Sequence, residues 1–166
     1  ESVPTTNKPA VAKALVEATP TKEAQVEVAK ALLEATPPKA QAEVAKSLMQ
    51  ALKTDLKISP KQLANVAQTV LESVPTTNKP AVAKALVEAA PTKEAQVEVA
   101  KSLMQGIIND SSISSKDLPK QMATVAKTLA TIANQSPKDI ATVAKTLTAV
   151  ANKAPEATAT VAQTIA

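Results

Sequence analysis

The sequence has no aromatic residue, no cysteine and no histidine, and it holds a single glycine among 166 residues. Histidine and cysteine supply most general bases, thiol nucleophiles and transition-metal ligands in proteins. Aromatic rings provide the usual anchors of protein interfaces and the platforms on which nucleobases stack. The composition therefore argues against an enzyme, and we predict no catalytic residue, no metal site and no cofactor.

The charges are equally monotonous. All 19 basic residues are lysine, 15 residues are acidic, and the resulting net charge of +4 is spread along the chain without a basic arm. No apolar run reaches the ~18 residues that a membrane-spanning helix needs. We therefore predict neither a nucleic-acid partner nor membrane insertion. The core has to be built from Ala, Val, Leu and Ile, which pack closely and suit thin, repeated layers.

A short motif repeats along the whole chain. Val-Ala-Lys or Val-Ala-Gln recurs nine times, and apolar residues follow each Val at offsets of one and four and often seven and eight. These offsets fall on one face of an amphipathic helix. Many links between copies are only a few residues long, which favours antiparallel neighbours. The pattern predicts an all-α fold, an α-solenoid of about nine short antiparallel helices arranged as tandem αα-hairpins. The copies begin at Val11, Val28, Val44, Val66, Val82, Val99, Val125, Val143 and Val161.

Proline marks the helix starts. Ser59-Pro60-Lys61-Gln62 and Ser136-Pro137-Lys138-Asp139 predict a serine cap with proline in the first turn, and Thr19-Pro20 and Thr36-Pro37 look like weaker versions of the same signal.

A longer repeat lies above the helix repeat. Residues 1–18 recur letter for letter as 72–89, a period of 71 residues. We divide the single array 1–166 into a four-helix unit (1–71), a second unit lacking one helix (72–118) and three further helices (119–166). The connection 106–118 is expected to be extended, returning the chain across a helix to restore its direction. Because residues 1–3 match the end of a helix in the second copy, we also expect a piece of a longer array with open end helices.

Lysine recurs at the third position of the motif, so a row of cations could follow the stack. Glutamates three residues earlier, such as Glu27, Glu43 and Glu98, are placed to pair with these lysines on a solvated face. That interpretation is favoured over a phosphate-binding row. The row comprises Lys13, Lys30, Lys46, Lys84, Lys101, Lys127 and Lys145.

Threonine flanks the motif in the last three helices, where it would form two parallel ladders. Regular threonine arrays on alanine-rich helices resemble the ice-binding faces of some antifreeze proteins, a likeness of residue type and spacing only. The preferred interpretation is a half-buried seam between repeats or a partner face. The ladders comprise Thr124, Thr128, Thr142, Thr146, Thr160 and Thr164.

Two functions are compatible with these features. The first is a structural repeat protein, an extracellular or cell-surface stalk, fibre or filament element that associates with itself through its open ends. The second is an α-solenoid scaffold that binds another protein or a peptide. The exposed positions carry much the same residue types in every repeat, which favours the structural role, because binding scaffolds carry anchors that vary between repeats. A cytoplasmic location stays open.

Overall fold

The computed structural model describes residues 4, 7–53, 58–135 and 140–153, together with the single positions 155, 159, 162 and 163. Across this part of the chain the protein is all-α, with eight helices packed against one another and no strand. Each helix contains one predicted motif, which confirms eight of the nine expected helices; most of the ninth lies outside the described residues. The helices are α1 (Lys8–Glu17), α2 (Lys22–Glu34), α3 (Pro38–Lys53), α4 (Pro60–Glu72), α5 (Lys79–Ala89), α6 (Lys93–Asn109), α7 (Leu118–Gln135) and α8 (Ile140–Lys153).

The start of α4 is the predicted capping box. The Ser59 hydroxyl accepts from the Gln62 backbone N–H at 3.3 Å, and the Gln62 side-chain oxygen accepts from the Ser59 N–H at 3.0 Å. Pro60 occupies the first helical position, where its missing N–H has no partner to lose. The second predicted box, around Pro137, lies outside the described residues.

The predicted caps Thr19-Pro20 and Thr36-Pro37 are wrong. The cap of α2 is Thr21, whose hydroxyl accepts from the Ala24 N–H at 3.2 Å. Thr19 and Thr36 instead donate back to carbonyls of the preceding helix, to Leu15 at 2.7 Å and to Leu32 at 2.5 Å. Both threonines therefore complete a helix end, because a hydroxyl four residues on can reach a carbonyl that has no backbone partner.

The helices form two rows. The most extensive contacts, α4 with α6, α1 with α3 and α3 with α5, join helices two apart in chain order. Each described helix packs substantially only on helices one or two places away in the chain. One row therefore holds α1, α3, α5 and α7, and the other holds α2, α4, α6 and α8. Between the rows lies a core of Ala, Val, Leu, Ile and Met side chains.

Hydrogen bonds of polar side chains at one edge of the rows show the relative directions of the helices. The Asn78 amide, at the start of α5, donates to Gln41 at the start of α3 at 2.9 Å. Gln121, at the start of α7, donates to the Thr76 carbonyl just before α5 at 3.2 Å. The starts of α3, α5 and α7 thus share one edge, and these helices run parallel. Lys79, the first residue of α5, pairs with Asp110 at the end of α6, so α5 and α6 run antiparallel.

The extended return predicted for residues 106–118 is wrong. Gly106 to Asn109 form the last turn of α6, and residues 110–117 fold into successive turns. The Ile113 N–H donates to the Asp110 carbonyl at 3.1 Å, and the Leu118 N–H donates to the Ser114 carbonyl at 3.0 Å. The connection reverses the chain at one edge, and α7 packs directly on α6 and beside α5. The alternation of the two rows continues without a crossing.

Candidate functional site

The exact sequence repeat allows one segment to be compared in two environments. Residues 1–18 and 72–89 are identical, so α1 and α5 share their apolar face. In α5, Val82 is 0% and Leu86 is 2% exposed, whereas the matching Val11 and Leu15 of α1 are 36% and 46% exposed. The difference comes from the surroundings alone, because the sequences do not differ.

The neighbouring helices show the same contrast. Residues 20–29, which lead into α2, are identical to residues 91–100, which lead into α6. Val97 and Val99 are buried in α6, whereas the matching Val26 and Val28 of α2 are half-exposed. The hairpin α1–α2 therefore leaves partly exposed an apolar surface that the hairpin α5–α6 buries. We call the surface formed by Val11, Leu15 and Val26 the open face.

The helices packed on the two hairpins differ. The next helix in the chain packs on both members of each hairpin: α3 contacts α1 and α2, and α7 contacts α5 and α6. Among the described helices, α3 and α4 precede α5–α6 and pack on it. The greater burial of Val82, Leu86, Val97 and Val99 thus accompanies the packing of α3 and α4 on α5–α6.

The predicted lysine row divides between the two rows of helices. Four of its members lie on the first row, in α1, α3, α5 and α7, and three on the second, in α2, α6 and α8. Lys13 pairs with Glu17 at 3.7 Å and Lys84 pairs with Glu88 at 3.8 Å, each one helical turn further along. Among the described residues, the expected pairs with the glutamates three residues earlier do not form. Exposed ion pairs between residues four apart on a helix contribute only about 0.3 to 0.5 kcal/mol each to stability. We therefore interpret these lysines as part of a solvated surface.

The threonine ladders are partly buried where they are described. Thr128 in α7 is 9% exposed and Thr146 in α8 is 7% exposed, whereas Thr124 is half-buried. Thr124 and Thr128 each donate to the carbonyl four residues earlier, at 3.1 Å. These positions suit a seam between helices better than a surface that meets ice, which needs exposed hydroxyls. The side chains of Thr142, Thr160 and Thr164 lie outside the described residues.

An ion pair between the buried Lys79 and the partly buried Asp110 was not predicted from the sequence. Lys79 donates to the Asp110 carboxylate, and the other carboxylate oxygen accepts from the Ser112 N–H at 2.9 Å and from its hydroxyl at 2.6 Å. Burial raises the pKa of Asp110, but the bonds from Lys79 and Ser112 and the Lys79 charge outweigh it and hold that pKa below its usual value. The cluster joins the start of α5 to the end of α6, and all of its partners are internal. We interpret it as a fastening of the hairpin.

A groove of about 450 Å³ lies between α5, the start of α6, and α7. Lys84, Lys127 and Thr131 line its walls, and Thr128 and Ile132 contribute buried surface. Its lysines would suit an acidic peptide, but Glu88 also lines the groove and pairs with Lys84, and the sequence contains no aromatic or arginine residue to act as an anchor. The groove is the strongest structural argument for the scaffold alternative, and it is weaker than the open face.

The described residues bring together no group of three or more Asp, Glu, His or Cys side chains that could hold a metal ion. None of the described helices combines the length and apolar character that crossing a bilayer requires. No protein-family model, curated protein or solved structure matches the chain. The open face, argued from the internal repeat, is therefore the candidate functional site.

Proposed function

We propose that this chain is a structural α-solenoid, with no enzymatic activity, that associates with itself through its open face. The observation that carries the proposal is the different burial of two identical segments: Leu86 is 2% exposed, whereas the matching Leu15 is 46% exposed. The same repeated surface is buried in the α5–α6 hairpin and exposed in the α1–α2 hairpin. Further helices could therefore pack on the α1–α2 hairpin. The proposal places the chain in an extracellular or cell-surface stalk, fibre or filament.

The packing supports this role. Each described helix contacts only near neighbours in the chain, so stability is built from adjacent layers, as in repeat proteins that can be lengthened unit by unit. Apolar surface removed from water contributes about 25 cal/mol per Å², and the open face combines large aliphatic side chains from two helices. Its cover by further helices would therefore be favourable.

The test is the molar mass of the purified chain as a function of its concentration, measured by light scattering and sedimentation. We expect the mass to rise with concentration and electron micrographs to show elongated particles. Leu15→Glu places a charge on the open face and should abolish the rise. Ala10→Glu is the matched control, because Ala10 and its counterpart Ala81 are exposed in both copies. A wild-type mass that stays monomeric at every concentration would refute the proposal.

A further inference from the structure

We draw no further inference here: the strongest candidate, the groove of about 450 Å³ between α5, the start of α6, and α7, carries no proposal, because its Lys84 is already paired with Glu88 and nothing in the structure shows what covers it.

Discussion

Truncating one leucine in each of the two identical segments would measure directly how much the environment contributes. Leu86→Ala removes a side chain that is 2% exposed, and such changes cost about 2 to 5 kcal/mol of unfolding free energy because they lose burial and leave a cavity. Leu15→Ala removes a side chain that is 46% exposed. Full burial of a leucine is worth about 1.5 to 3 kcal/mol, so roughly half of that, about 1 kcal/mol, is expected for Leu15.

The assay is urea unfolding followed by far-ultraviolet circular dichroism, since a chain without aromatic residues has no intrinsic fluorescence to follow. Dilute protein is needed, so that association does not add to the stability of the wild type. At higher concentration the cost of Leu15→Ala should grow towards that of Leu86→Ala, because the open face becomes covered. Equal costs for the two variants in dilute solution would refute the assignment of Leu15 to an uncovered surface.

Three further substitutions test the local structure by the same unfolding measurement. Gly106→Ala should stabilise α6 by up to about 1 kcal/mol. A Cβ at this position meets the Gln68 side chain at an ordinary contact distance of 3.4 Å, and the first sequence repeat carries Ala51 here. A lower stability of the variant would show that the helix needs glycine. Ser59→Ala should cost about 1 kcal/mol by removing the α4 cap, and an unchanged midpoint would show that the box contributes nothing. The lowered pKa of Asp110 means that its charge stabilises the folded chain above the unfolded value of about 4 and that this contribution fades as the pH falls through the folded pKa. Asp110→Asn should therefore lower stability at neutral pH and flatten its acid dependence, and a parallel pH profile in the variant would contradict the role of the pair.

The helices were predictable because each is a local pattern. A motif with apolar residues at helical spacing encodes a helix irrespective of its neighbours, which is why eight helices lie where the motif places them. The capping box at Ser59 is local in the same sense, since cap and acceptor are three residues apart. The true cap of α2 was missed because both Thr19 and Thr21 flank Pro20, and only the backbone conformation distinguishes them.

The polar edge and the open face depend on contacts between distant residues. Lys79 and Asp110 are 31 residues apart, and no spacing rule joins them. The sequence led us to expect open end helices, but it could not identify the exposed side chains of α1, because burial depends on which helices pack beside them. Val11 and Val82 make the point, since identical surroundings in sequence give 36% and 0% exposure.

The short turns at residues 110–117 bear on how such an array changes its length. By sequence α7 is a relative of α4, since Pro119-Lys120-Gln121 matches Pro60-Lys61-Gln62, yet it lies in the opposite row. If the second unit lacks one helix, as the sequence repeat predicts, each later helix lies in the opposite row from its relative in the first unit. Gln62 closes an exposed cap, whereas Gln121 is 4% exposed and bonds to the edge of α5. A helix that can fold in either row would allow such an array to gain or lose one helix at a time, and not only whole hairpins.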